Sequence, residues 1–341
     1  MTGLNRAHSV SLALQGGGAL GALTWGVLDR LLDEPRLSFD GISGSSAGAM
    51  NAVAVAQGLA AGGRQAARNK LEELWRAIAG ASPAIETPFG DMRTASAPPP
   101  SSLFLLGFLR FFSPYQFNPF DINPLRSIVE RLFDFEQLRR VRPVHLFVGA
   151  TRVDTGALRL FRGAELTADH LLASACLPAL QQAVVIDGAA YWDGGYAANP
   201  AIYPLVYDCA SRDIVVVMLQ PLVREETPRT AEAIRRRLTE IQFNATFLRE
   251  MRAIALAQRE AARGLFRSFG RLDRRLRSLY LHLIEADDLI SKMDAGKSLN
   301  TSLPFLLRLK EEGQRRAEQW LIDHGGTLGR RSSVDLGAMF G

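Results

Sequence analysis

The chain has 341 residues, 47% hydrophobic and 22% charged, with a formal net charge of +5. That length suffices for a sizeable core, in one large domain or two medium ones, and the composition excludes a disordered chain. Two cysteines, Cys176 and Cys209, exclude a disulfide framework, and no run of about 20 apolar residues offers a membrane-spanning helix.

The apolar stretch after Arg6 and His8 soon breaks into Gln15-Gly16-Gly17-Gly18 and lacks a cleavage region, so it does not read as a secretory signal. Residues 9–14 instead read as a buried strand, followed by a glycine turn at 16–18 and a helix over 21–33. A second strand near 38–42 leads into Ser46, an alanine-rich helix to 61 and another over 67–79. The stretch 81–120 differs: Pro83, Pro88, Pro98-Pro99-Pro100 and Pro114 interrupt every long pattern, and the segment 103–112 is rich in phenylalanine. Asn123-Pro124 has the form of an N-cap with proline at the first helical position, opening a helix to 132.

Strands follow at 144–150, 157–161, 183–187 and 214–219. Near-continuous apolar runs separated by helices predict a covered, mainly parallel sheet of the α/β class. From 230 to 262 Ile234, Leu238, Ile241, Ala245 and Leu248 recur at helical spacing. A further basic helix is expected over 264–283, and the stretch after 325 reads as a loose tail. The chain thus divides into residues 1–225, with an insertion at 81–120, a basic helical extension over 226–325 on or near the first part, and a tail over 326–341.

Residues 229–277 hold thirteen Arg against five Asp or Glu, a local +8, which leaves −3 for the remainder. Such a face is either merely solvated or attracted to anionic lipid headgroups. No nucleic-acid-binding motif accompanies the charge, so no nucleic acid partner is expected.

Gly44-Ser45-Ser46-Ala47-Gly48 is a G-x-S-x-G match between strand and helix, where a serine is held exposed as a nucleophile. Gly44 and Gly48 permit the sharp turn and close passage of backbone. Gly16, Gly18 and Gly21 also match a dinucleotide-binding pattern, but that reading needs an acid ending the second strand, and Asp40 lies near its start. A hydrolase reading uses both loops: amides of Gly17, Gly18 and Ala19 would face the oxygen that turns negative when Ser46 attacks an ester.

Ser46 needs a base. Ser46, Asp193 and His282 formally compose a triad, yet His282 is expected on an ordinary helix face, outside any sheet-edge loop. Asp193 follows the apolar segment Ala189-Ala190-Tyr191-Trp192 and precedes Gly194-Gly195. It either forms a structural turn or accepts the Ser46 proton directly or through a held water.

Four ordered blocks carry a resemblance to the patatin-like phospholipases. They are Gly16-Gly17-Gly18-Ala19-Leu20-Gly21, Gly44-Ser45-Ser46-Ala47-Gly48-Ala49, Ala173-Ser174-Ala175-Cys176-Leu177-Pro178, and Asp193-Gly194-Gly195 with Asn199-Pro200 after it. The resemblance covers residues 9–220. It implies a three-layer α/β/α domain, Ser46 as acyl-forming nucleophile, Asp193 as base and an oxyanion hole at the glycine loop, with no cofactor and no metal. Family members commonly carry Arg or Lys where this chain has Leu20. The implied substrate is a lipid ester, and the protein is expected to be cytoplasmic, either free or peripheral at the inner membrane surface. Phe104, Phe108, Phe111 and Phe112 lie either in a buried helix or in an exposed lid or interfacial segment. Two alternatives are a catalytically altered lipid- or protein-binding module and a neutral acylglycerol or polyester hydrolase.

Overall fold

The alternation of apolar runs and helices closes into one sheet between two helical layers. The computed structural model describes residues 7–81, 86–87, 90–91, 113–224, 226–263, 270–291 and 300–340. Its main sheet contains β1 (His8–Leu14), β2 (Leu37–Ser45), β3 (His145–Arg152), β4 (Leu158–Arg162), β5 (Val184–Ile186), β6 (Ala189–Asp193), β7 (Asp213–Val217) and β8 (Tyr280–Ile284). The order is β8–β7–β1–β2–β3–β6–β5, with β4 also paired to β3. The first five strands of that order run parallel, while β4 and β6 are antiparallel to β3 and β5 to β6.

Helices α1 (Gly21–Asp33), α2 (Ala47–Ala81), α3 (Pro124–Leu132), α4 (Phe135–Val141) and α5 (Ala168–Ser174) come from the first half of the chain. Non-helical backbone at Gly62 and Gly63 breaks α2 into the two helices read from the sequence. Asn123 caps α3 as expected, its side chain accepting from Leu125 N at 3.0 Å. Later come α6 (Tyr203–Asp208), α7 (Ala231–Arg263), α8 (Arg271–Arg277), α9 (Leu303–His324) and α10 (Leu336–Phe340). No helix among the described residues is long and apolar enough to cross a membrane.

Alternation along the central strands divides the core between the two faces. Leu12, Leu14, Val215 and Val217 join Trp25 and Trp75 on one side, where the two indoles stack with centroids 6.5 Å apart. Ala13, Ile214, Val216 and Met218 join Phe247 and Met251 on the other. Helices on both faces explain why these strands read as unbroken apolar runs.

Three expectations are corrected. The helix anticipated over 264–283 ends at Arg277, and Tyr280–Ile284 continues as edge strand β8. The extension is therefore not purely helical, and His282 is a buried strand residue rather than one on a helix face. A run of five residues after a strongly helical arginine pattern carries too little periodicity to declare itself. The stretch 326–341 is also not loose: Phe340 packs edge-on against Phe247 at 6.1 Å, and Gly329 N donates to Asp213 Oδ1 at 2.9 Å. Phe104, Phe108, Phe111 and Phe112 lie outside the described residues, as does most of the stretch 81–120.

Candidate active site

Strand register brings Ser46 and Asp193 together. On β3, Gly149 pairs with Ser45 and the next residue, Ala150, pairs with Asp193. β4 pairs with residues 147–151 of β3 and so occupies its other edge. β6 therefore takes over the edge of β3 where β2 ends, and the serine turn meets the end of β6. Thr151 fixes the junction, its hydroxyl donating to Asp193 O at 2.7 Å.

Ser46 has φ 55°, the left-handed region that side chains rarely adopt. Its amide is held by the Ser174 hydroxyl at 3.0 Å and the Ser174 carbonyl at 3.1 Å. Gly48 admits the turn, because a Cβ there would overlap the Leu14 carbonyl, while a Cβ at Gly44 would strike the Gly48 carbonyl. Both expected elbow glycines thus permit close backbone contact.

The glycine loop lies against this turn: a Cβ on Gly16 would sit 2.8 Å from both Ser45 O and Ser46 Cβ. Asn199 clamps the loop by accepting from Gly16 N at 2.7 Å. The amides of Gly17, Gly18 and Ala19 have no acceptor among the described residues, and Gly18 is exposed while Gly17 is half-buried. Leu20 is buried and supplies no cation.

Asp193 is fully buried. Oδ1 accepts from Gly195 N at 2.7 Å, whereas Oδ2 has no hydrogen-bond partner of ordinary geometry. Burial pushes the carboxyl up to about 6, against the opposing pull of the Ser46 hydroxyl and the Gly195 amide. Nearby Cys176 is buried too, and its thiol is pushed up to about 11, which leaves it an inert neighbour.

Other candidates lie elsewhere. Three interstrand spacings, roughly 14 Å, separate β8 and His282 from β2, so His282 cannot serve Ser46. Its Nε2 instead meets Asp213 Oδ1 at 3.0 Å. Asp40 accepts from Ala210 N and Ser211 N at 2.6 and 2.7 Å, as a loop clasp. Among the described residues no cluster of His, Cys, Asp or Glu could hold a metal ion.

Sequence reading missed Gln15 and Asn244. Buried Gln15 donates to Asn199 O and Asn244 Oδ1, both at 3.2 Å, and accepts from Leu219 N and Gln220 N at 2.7 and 2.9 Å. Asn244 donates in turn to Pro221 O at 3.2 Å. From the same turn of α7, Phe243 packs on Tyr196 at 5.0 Å and fills the space a Gly195 side chain would need. An asparagine between two phenylalanines inside a helix was the available signal, since asparagine is a poor interior helix former.

The family model for patatin-like phospholipase matches residues 12–206. A search of curated proteins finds no match. Among solved structures, the crystal structure of VipD from Legionella pneumophila is similar at 13% identity, with a TM-score of 0.43. That similarity covers 93% of this chain and 67% of that one.

Proposed function

Because the chain belongs to the patatin-like phospholipase family, a lipid-acting hydrolase fold, we propose that it cleaves carboxylic esters of lipids through an acyl-Ser46 intermediate, with Asp193 as general base. The observation that carries this reading is the pairing of a left-handed Ser46 with a buried carboxylate whose Oδ2 has no partner of ordinary geometry, beside three amides with no acceptor among the described residues.

In this mechanism the Ser46 hydroxyl attacks the ester carbonyl carbon and its proton passes to Asp193. Negative charge gathers on the carbonyl oxygen, which the amides of Gly17, Gly18 and Ala19 receive. Collapse expels the alcohol or lysolipid, which takes the proton from Asp193, and leaves the acyl group on Ser46. Asp193 then accepts a proton from water attacking that acyl carbon, and the second collapse returns it to Ser46. A pKa near 6 leaves the carboxylate ionised at neutral pH yet more basic than an exposed aspartate. The substrate class is phospholipase A or lysophospholipase type.

Labelling with a serine-directed fluorophosphonate tests the assignment on wild type, Ser46→Ala and Asp193→Asn. Wild type should label and hydrolyse a short soluble ester. Ser46→Ala should not label, and either substitution should lower hydrolysis by at least ~10³-fold. Undiminished hydrolysis by Ser46→Ala would refute the reading.

A further inference from the structure

Helix α7 runs against the direction of the parallel strands and overhangs the edge that carries the site. Asn244 bonds Gln15 and Pro221 at the strand ends, while Gln258, fourteen residues on, donates to Leu276 O and Leu279 O just before β8 begins. Residues 231–243 therefore continue past the edge by about 20 Å at the ordinary helical rise. Glu240 holds this part down through Arg224, at 2.6 Å, and Arg224 also donates to Ser291 O.

The overhanging part is apolar on its free side. Phe247, Met251 and Ile254 turn inward, but Ile234, Leu238 and Ile241 are 42%, 55% and 48% exposed. At a spacing of four and three residues they form one stripe, which Leu248 extends. Exposed Arg235, Arg249 and Arg252 accompany the stripe. Between 233 and 259 the only carboxylates are Glu240 and Glu250, both engaged on the protein side: Glu240 with Arg224, Glu250 with the amides of Ile202 and Tyr203. Thr239 and Gln242 are also exposed, and Glu232 and Glu260 stand exposed at the two ends of the helix, so its middle stretch presents apolar, neutral polar and cationic side chains. On the other flank of the site, Phe120 and Ile122 are also exposed. Their segment is tied to the residues just before β5, the neighbour of the strand carrying Asp193, through Gln182, which donates to Asn118 O at 2.8 Å.

We propose that the overhanging face of α7, centred on Ile234, Leu238 and Ile241 with Arg235 and Arg249, docks the protein on an anionic lipid bilayer. An apolar stripe flanked by arginines fits such an interface: the aliphatic groups enter the acyl boundary and the guanidiniums stay among the headgroups. The bilayer is chosen over other occupants because between Ile234 and Arg252 the helix has no exposed carboxylate to answer Arg235 and Arg249, so the charge they complement is external and negative. The inference rests on the lipid hydrolase reading for its purpose but not for its test. It places the mouth of the site against the lipid supply.

Vesicle co-sedimentation on the Ser46→Ala chain reads docking without turnover. Phosphatidylcholine vesicles doped with phosphatidylglycerol should pellet this chain, and pure phosphatidylcholine should pellet it at least ~10-fold less. Adding Ile234→Ser, Leu238→Ser and Ile241→Ser should weaken pelleting by about 10-fold or more, and Arg235→Gln with Arg249→Gln should remove most of the preference for the anionic vesicles. In the active chain, the triple serine variant should keep its Tm and its rate on a short soluble ester within about twofold, which separates docking from folding and chemistry. Equal pelleting by parent and triple variant would overturn the proposal, as would equal binding to neutral and anionic vesicles. A parent that fails to bind vesicles but forms a dimer split by the triple variant would also overturn it. A parent that binds vesicles yet hydrolyses no ester would uphold docking and defeat only the assigned chemistry.

Discussion

Gln15 and Asn244 lie 229 residues apart in the chain and 3.2 Å apart in the fold. Their bond joins the residue before the glycine loop to the long helix beyond the family match. Gln15 spends both amide hydrogens and two acceptor bonds in this setting, so no part of its carboxamide is left unpaired.

Replacing Asn244 by alanine strips one acceptor from a buried N–H, at a cost of roughly 1–3 kcal/mol. Tm should fall by several degrees. Because the glycine loop loses a brace, kcat on a short ester should fall about 10-fold with KM little changed. A lowered Tm with kcat intact would mean that the helix only packs there.

Asp193 makes activity and stability respond oppositely to pH. As a base it must be ionised, so kcat/KM should decline below about pH 6 as the carboxylate protonates. Folding raises this pKa above its unfolded value of about 3.9, so the folded chain retains a proton that the unfolded chain has released between those values. The group's contribution to stability is fully present below about pH 4 and is lost as pH rises through about 6, on the order of 2–3 kcal/mol. Asp193→Asn should therefore raise Tm at pH about 8 while removing activity, with the gain shrinking toward pH about 4. Thermal melts across that range check the sign, and a variant destabilised at high pH would contradict it.

A methyl group at Gly16 would meet Ser45 O and Ser46 Cβ at 2.8 Å. Neither can yield without moving the serine turn. Gly16→Ala should lower kcat/KM by more than ~100-fold and stability by about 1–3 kcal/mol, read by ester hydrolysis and urea melts. Near-normal turnover would show that the loop and turn part easily.

His282 offers the opposite contrast, a buried histidine with no place in the chemistry. Its ring faces Asp213 and stacks edge-on against Trp320 at 5.7 Å. His282→Leu should cost about 2–4 kcal/mol, because Asp213 loses a partner, while ester turnover per folded molecule stays within about threefold. Collapse of turnover in the folded variant would restore the histidine triad.

Strands β1 to β5, β7 and the serine turn were legible because each announces itself locally in an apolar run or in glycines where backbones touch, whereas β6 read only as an apolar segment before Asp193. Asp193 was legible through the glycines after it. What escaped reading depends on distant partners. Tyr280–Ile284 looks helical until β7 lies beside it, and Gln15 looks like a loop residue until Asn199 and Asn244 surround it. Likewise Ile234, Leu238 and Ile241 gave the helical period of α7, yet the side that faces the core is set by Phe243, Phe247 and Met251. A helix apolar on two sides has one period and two candidate inward faces.

The family match ends at residue 206, seven residues before β7 begins. β7 pairs along β1, which delivers the glycine loop, and β8 in turn covers the other edge of β7. A fragment cut at the limit of similarity would leave β1 with a raw edge and the Gln15 side chain with one of its four bonds, the one to Asn199 O. The stretch that matches the family and the unit that folds therefore have different borders. Lineages that exchange the carboxy-terminal half must replace a sheet strand and a brace for the glycine loop together, which limits how freely such halves can be traded.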